Sequence, residues 1–223
     1  TGLRLGEIYA LVWGDVDFEN KTLSVNRQVQ WETGEKRSEE NKKRTNGTSK
    51  SNGYWYFSKP KYDSFRTIEL DDSIFKVLEK EHNKQLKAKA YYDEYYNHYY
   101  CEYEMGKINS MPMNKISQNK SSYEVDFICR REDGSYINAR TTQHTSYIIH
   151  NQLQFPQYDT HSLRHTHGTM LYENGASFMY IKERLGHKNL QTTIEIYTNH
   201  YTDTINENGS MALKNAFDEP HTK

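Results

Sequence analysis

From Arg140 onward, apolar residues recur at helical spacing in short blocks separated by turn residues, and this pattern constrains the fold more than any other feature of the chain. Helices are expected near 141–153, 162–174, 177–185, 189–198 and 203–218, with Gly175 and Gly186 where a helix end calls for a left-handed residue. The first half reads differently. Residues 5–13 have helical spacing up to the turn at Gly14-Asp15, and residues 22–31 alternate apolar and polar as a half-buried strand does. Residues 32–53, rich in Glu, Lys, Ser, Asn and Gly, are expected to form a long loop. Tyr54-Trp55-Tyr56-Phe57 and Arg66-Thr67-Ile68-Glu69-Leu70 follow as strands around a turn with Lys59, Lys61 and Asp63. Asp71 or Asp72 is placed to cap a helix running past Lys89, which the tyrosines at 91–96 extend. Residues 104–122 read as a loop and Val125–Cys129 as a short strand. The expected fold class is mainly α with one small three-stranded antiparallel sheet (α+β).

The chain has 223 residues, enough for one domain with a substantial core. Only 35% of residues are hydrophobic, although 19 tyrosines add ring area that can be buried. No run of 18 apolar residues exists, so a membrane-spanning helix is not expected. Cys101 and Cys129 stand in dissimilar contexts without metal-ligand spacing, which suits a reducing compartment. The opening residues Thr1-Gly2-Leu3-Arg4-Leu5-Gly6-Glu7-Ile8 start inside a helical pattern without Met, and a piece of a longer chain is expected.

Candidate chemistry is concentrated in the last quarter. His161 and Arg164 lie three residues apart at the start of an expected helix, so they share one face. An arginine fork matches phosphate oxygens, and a histidine adds a donor or a proton relay. His165 and His167 suggest a metal site as an alternative, but 167 leaves the face shared by 161 and 165, and no Cys or carboxylate adjoins them. Leu185-Gly186-His187 ends one helix and opens another, where unpaired backbone N–H groups favour a phosphate. Tyr197 follows ten residues after His187; as one of 19 tyrosines its plain reading is packing, and beside a bound phosphate it is a nucleophile.

Together, Arg4 in Thr1–Glu7, Lys61 in Pro60–Ile68, His161-Ser162-Leu163-Arg164-His165-Thr166, and Leu185-Gly186-His187 through Thr192-Thr193 to Tyr197-Thr198 resemble the catalytic domain of the tyrosine recombinase, or phage integrase, family. The resemblance covers residues 1–200, apart from the loops at 32–53 and 87–122, and is nearest to integrases of conjugative transposons and Gram-positive prophages. It implies a site-specific DNA recombinase that integrates and excises a mobile element. Arg4 and Arg164 would clamp the non-bridging oxygens of the scissile phosphate, with Glu7 supporting Arg4. Tyr197 would attack to give a 3′-phosphotyrosyl intermediate, Lys61 would protonate the leaving 5′ oxygen, His161 would act in proton transfer with the tyrosine, and His187 would hydrogen-bond the phosphate. The turn is one residue shorter than the commoner family pattern, with Tyr62 where Thr is usual, so Lys59 stands as an alternative to Lys61.

The same resemblance implies no cofactor, no metal and no ATP, because the phosphotyrosyl bond conserves the energy of the phosphodiester. Its implied partners are double-stranded DNA attachment sites and further copies of the protein: a tetramer on DNA and a monomer without it, with an accessory directionality factor possible. It implies a cytoplasmic bacterial protein, and relatives carry a further helical domain ahead of this one. Within a net charge of −1, residues 36–66 hold nine Lys/Arg against three Asp/Glu. Lys42, Lys43, Arg44, Lys59 and Arg66 are therefore candidates to follow the DNA backbone, or else part of a solvated polar loop. Residues 201–223 read as a tail whose apolar positions Ile205, Met211, Leu213, Ala216 and Phe217 would dock on a neighbouring protomer or on their own domain. A type IB topoisomerase-like strand transferase, a dimer resolvase and a DNA-binding module without activity are the alternatives.

Overall fold

The computed structural model describes residues 1–33, 53–103, 106–111, 122–155 and 158–198, with the backbone alone at 33, 110–111 and 196–198. The loop expected at 32–53 and the tail lie mostly or wholly outside the described residues, as do Lys42, Lys43 and Arg44.

The N-terminal half is a layer of short strands under one long helix. Strand β1 (Val16–Asp17) pairs with β2 (Thr22–Val25), which pairs on its other edge with β5 (Arg66–Glu69). Strand β3 (Gln28–Thr33) pairs with β4 (Gly53–Ser58) as a separate ladder. All of these pairings are antiparallel. The single strand expected at 22–31 is therefore broken. Asp15 is buried and needs partners, and it draws Arg27 (2.7 Å) and Asn26 (3.2 Å) out of the ladder. Opposite that break, between the pairs Val25↔Arg66 and Gln28↔Ser58, residues 59–65 leave the sheet as an excursion. The lysines at 59 and 61 sit on this excursion, not on a tight hairpin turn, because β4 and β5 pair with other strands.

Burial explains the layer. Leu23, Val25 and Ile68 point inward with Leu3, Trp13, Val16, Leu70 and Ile128, and Phe75 and Leu78 of the long helix cover them. The expected helix at 5–13 shrinks to α1 (Leu5–Ile8), since Trp13–Asp15 forms its own turn and Val12 bridges to Phe127. Helix α2 (Asp72–Tyr92) starts where the Asp71 carboxylate accepts from Ser73 N at 2.8 Å. It ends before Asp93, whose φ is 44°, so the tyrosines after it do not extend the helix. They lead into β6 (His98–Glu102), paired with β7 (Ile108–Met111) and β8 (Ser122–Glu124). Part of the loop expected at 104–122 is thus sheet, and the strand expected at 125–129 ends at Glu124 instead. A second core of Tyr9, Ala10, Val29, Cys101, Ile108, Val125 and Phe127 joins this sheet to β3 and β4.

The C-terminal half follows the expected succession: α3 (Ala139–Asn151), α4 (Ser162–Glu173), α5 (Phe178–Leu185) and α6 (Leu190–Thr198). Asn138 and Ser177 cap α3 and α5 with their side chains. Ile181 and Leu185 are fully buried against Leu171, Tyr172, Ala176 and Phe178, which locks α5 to α4. Among the described residues no helix is long and apolar enough to cross a membrane.

Candidate active site

The C-terminal end of α5 organises the site. The last carbonyls of a helix have no partner within it. Here three consecutive ones accept from three arginines distant in sequence. Arg66 Nε donates to Arg184 O at 2.8 Å, Arg164 Nη2 donates to Leu185 O at 2.6 Å, and Arg4 Nη2 donates to Gly186 O. Cations at this end of a helix also meet the negative pole of its dipole. Gly186 makes the arrangement possible. It is left-handed (φ 69°), and a Cβ there would lie 2.8 Å from Arg66 Nη1 and 2.9 Å from Ser64 Oγ.

Arg4 comes from the residue that precedes α1. Its backbone N–H donates to Glu7 Oε2 at 2.9 Å and its Nη1 donates to Glu7 Oε1 at 2.8 Å, so one carboxylate holds both the helix start and the guanidinium. Arg66 grips the same carboxylate from β5, with Nη2 on Oε2 at 2.7 Å and Nη1 on Oε1 at 3.2 Å. Glu7 is fully buried. Burial pushes its carboxyl up, but the hydrogen bonds and charges of Arg66 and Arg4 outweigh this and hold it below the ordinary carboxylate range, so it is ionised. Arg66, a DNA-backbone candidate from sequence, therefore points inward and joins the support of Arg4.

Arg164 is buried in α4 and its Nη1 also donates to Gly2 O at 2.8 Å. Gly2 (φ 71°) admits that approach, since a Cβ would lie 2.5 Å from the His167 ring and 2.7 Å from Leu185. His187, just past the α5 turn, pairs through Nδ1 with the Thr193 hydroxyl of α6 at 2.8 Å. With that hydroxyl donating, the ring proton sits on Nε2 and is available to a ligand. Burial, followed by the charges of Arg164 and Arg4, lowers the His187 pKa to about 4, so the ring is neutral near pH 7. His161, beside the start of α4, is lowered by burial and then by His165 and Arg164, and its ring meets His165 edge-on at 4.7 Å. Arg164, Arg4, His165 and His161 all act on the His187 ring, so these residues surround one locus. His167 faces away, accepting from Arg184 Nε at 3.2 Å. The histidine trio of the metal alternative is thus divided, and among the described residues no His/Cys/Asp/Glu group has a metal-holding arrangement.

The lysines stand at the rim. Lys61 Nζ lies 5.1 Å from the centre of the exposed Tyr62 ring, and Lys188 Nζ lies 5.7 Å from the same ring. Lys188 follows His187, so Tyr62 draws the excursion toward the His187 turn. Lys59 instead faces Asp63 at 3.8 Å in solvent. Beside the excursion, a groove of about 490 Å³ is lined by Ser64, Arg66, Arg184, Gly186 and His187 among others. It lies next to the arginine locus and does not contain Arg4 or Arg164. The backbone of Tyr197 is in the last turn of α6, and its side chain lies outside the described part. Sequence reasoning gave no role at the site to Ser64, Thr193, Arg184 or Lys188, and read His165 only as a possible metal ligand. Of these, Lys188 adjoins His187, and Thr193 and His165 lie within motifs already noted.

Residues 1–203 match the Phage integrase family. A tyrosine recombinase XerC-like protein of Caldanaerobacter subterraneus is 30% identical over 200 residues, covering 89% of this chain and 42% of that protein. The integrase of Staphylococcus phage L54a is 27% identical over 217 residues, covering 96% and 49%. The chain spans less than half the length of these curated relatives. In three dimensions the Tn1549 transposon integrase, solved in complex with a circular intermediate DNA, aligns with a TM-score of 0.56 at 17% identity, over 88% of this chain and 50% of that one. The XerA recombinase aligns with a TM-score of 0.51 at 16% identity, over 99% and 55%. With the family match spanning all the described residues, from the arginine ahead of α1 to the tyrosine in α6, the chain belongs to the phage integrase family.

Proposed function

We propose that residues 1–200 are the catalytic domain of a site-specific DNA recombinase that integrates and excises a mobile element through a 3′-phosphotyrosyl intermediate. The observation that carries the reading is the convergence of Arg4 and Arg164 on the α5 turn beside His187, with His161 close enough to shift the same ring. Two fixed guanidiniums beside neutral histidines suit a phosphodiester whose charge rises in the transition state, because the donors are already oriented.

In this mechanism Tyr197 Oη forms a bond to phosphorus as the bond from phosphorus to the 5′ oxygen breaks. The tyrosine proton passes to His161, and the leaving oxygen takes a proton from Lys61. Arg4 and Arg164 hold the non-bridging oxygens, and His187 Nε2 donates a third hydrogen bond. Attack by a 5′-hydroxyl of a second duplex reverses these transfers and reseals the strand without ATP. Arg66 is placed behind Arg4 as support, while Lys59, Lys188 and the basic residues Lys42, Lys43 and Arg44 follow the duplex backbone. The partners are DNA attachment sites and further protomers, a tetramer on DNA with the 201–223 tail at the contact between copies, in a bacterial cytoplasm.

The test uses the full protein and a nicked duplex bearing the element's end, on which cleavage releases a short fragment and traps the enzyme. Wild type is expected to form a covalent complex, Tyr197→Phe none, and recombination is expected to require two sites. A complex with Tyr197→Phe would remove the nucleophile assignment, and relaxation of one supercoiled plasmid without pairing would favour a topoisomerase.

A further inference from the structure

Ser64 links two of the proposed catalytic groups through one hydroxyl. Its Oγ accepts from Arg4 Nη1 at 3.2 Å and donates to the carbonyl oxygen of Lys61 at 2.9 Å. Its own carbonyl accepts from Arg66 Nη1 at 3.0 Å. The hydroxyl also lies on the α5 turn, since a Cβ on Gly186 would fall 2.9 Å from it. One residue therefore touches Arg4 and the lysine excursion through its hydroxyl, Arg66 through its carbonyl, and the glycine turn that precedes His187.

The two ends of this link are unequal. Arg4 keeps Glu7 and the Gly186 carbonyl if Ser64 is removed. The Lys61 carbonyl has, among the described residues, only the Ser64 hydroxyl. Between them, Tyr62 (φ 66°) and Asp63 (φ 50°) are both left-handed, a conformation that side-chain-bearing residues keep only where their surroundings hold it. The other hydrogen bonds to the backbone of residues 59–63 are Asp63 N to Pro60 O at 3.0 Å, Phe65 N to Asp63 O at 2.8 Å, and Gln28 Nε2 to Lys59 O at 2.9 Å. None of these joins the Lys61 backbone to the arginine locus. Among the described residues, the Ser64 hydroxyl is thus the hydrogen-bonded link that joins the Lys61 carbonyl to Arg4.

We propose that Ser64 is a positioning residue for the leaving-group step, fixing the Lys61 backbone against Arg4 so that the ammonium meets the 5′ oxygen of the scissile phosphate. The inference rests on the assignment of Lys61 as the acid, and the experiment separates the two. Cleavage is measured with the full protein on two nicked duplexes, one with the natural 5′ oxygen at the scissile phosphate and one with sulphur in that bridging position. A thiolate leaves without a proton, so a defect in protonation disappears on the sulphur duplex, while a defect in folding, DNA affinity or the phosphate clamp persists.

Lys61→Ala is expected to be about 100-fold slow or worse on oxygen, the scale of general acid catalysis, and close to wild type on sulphur. Ser64→Ala is expected to be roughly 10-fold slow on oxygen and within about 3-fold of wild type on sulphur, the signature of an acid held in place by a single neutral hydrogen bond. Ser64→Thr, which keeps the hydroxyl, is expected to retain the wild-type ratio of the two rates. If Ser64→Ala fails to fold, Ser64→Cys, of similar volume with a weak donor, takes its place with the same expectation. Equal slowing on both duplexes, or none on oxygen, would overturn the Ser64 inference while Lys61→Ala rescue leaves the lysine assignment standing. Failure of sulphur to rescue Lys61→Ala would remove the lysine assignment and the Ser64 inference with it.

Discussion

The arginine locus and the lysine excursion sit side by side and are built on opposite principles. Arg66 keeps 7% of its side-chain surface exposed and Glu7 none, whereas Lys59 and Asp63 keep 77% and 70%. The arginines are tied to backbone carbonyls at a helix end and to one buried carboxylate, so their donors do not reorganise when charge develops on a ligand. The excursion holds its backbone through a few hydrogen bonds and leaves the Lys61 ammonium over the Tyr62 ring and the Lys59 ammonium beside Asp63, both in solvent. A clamp on non-bridging oxygens benefits from rigidity, while a proton donor to a leaving oxygen has to meet an atom that arrives with the duplex. Under the proposed function, the difference in burial matches that division of labour.

The largest expected effect breaks the buried side. Glu7→Gln leaves the Arg4 and Arg66 guanidiniums without their shared carboxylate, and the loss in unfolding free energy is expected at about 3–5 kcal/mol, as for other buried pairs cut on one side. Urea or thermal denaturation checks it. The matching control on the excursion, Asp63→Asn, is expected to leave the midpoint unchanged because its pair with Lys59 is exposed and long. A comparable loss at both positions would erase the contrast.

A smaller effect is expected with pH. His187 and His167 are both lowered to about 4, chiefly by burial, against an ordinary value near 6.5. Between these values the unfolded chain binds more protons than the folded one, so stability is full above about pH 6.5 and falls as pH drops toward 4. The loss is on the order of 1 kcal/mol per histidine, less than the bare shift implies because both rings keep some solvent contact. Denaturation midpoints between pH 4 and 7 are expected to flatten in the double variant His167→Asn, His187→Asn; an unchanged slope would place the titration elsewhere.

The smallest effect sharpens the excursion itself. Lys59→Ala is expected to keep the trapping rate within about twofold of wild type, since its ammonium faces Asp63 in solvent. A loss as large as that of Lys61→Ala would transfer the acid role to Lys59.

Much of the second half was legible because local signals and tertiary packing agree there. Ser177 and Asn138 cap the helices that follow them, and Gly186 takes the left-handed end that its position called for. The strand at 22–31 misled because alternation continues across Asn26 and Arg27, while the need of buried Asp15 for partners, invisible in the pattern, breaks the ladder. The tyrosines at 91–96 look helical by continuation, but Asp93 turns the chain, and the strand after it pairs with β7 just ahead and with β8 more than 15 residues away. Within the candidate site, His161, Arg164, His187 and Tyr197 were singled out by local spacing, and the order of motifs joined them with Arg4, Lys61 and Glu7 into one proposed set. Arg66 was assigned to the duplex because a basic residue in a basic stretch carries no mark of an inward carboxylate 59 residues away.

The sequence by itself determined the family, the order of its motifs and the residue types that its chemistry needs, because these are properties of side chains at fixed positions in the chain. Only the tertiary structure decided which arginines reach the open carbonyls of the α5 turn, that Arg66 shares the Glu7 carboxylate with Arg4, and that the lysine turn is an excursion closed by Ser64. The physical reason is that the deciding partners are backbone carbonyls at the end of α5 and one buried carboxylate: every residue has a carbonyl, and only folding shows which three are left open and what reaches them.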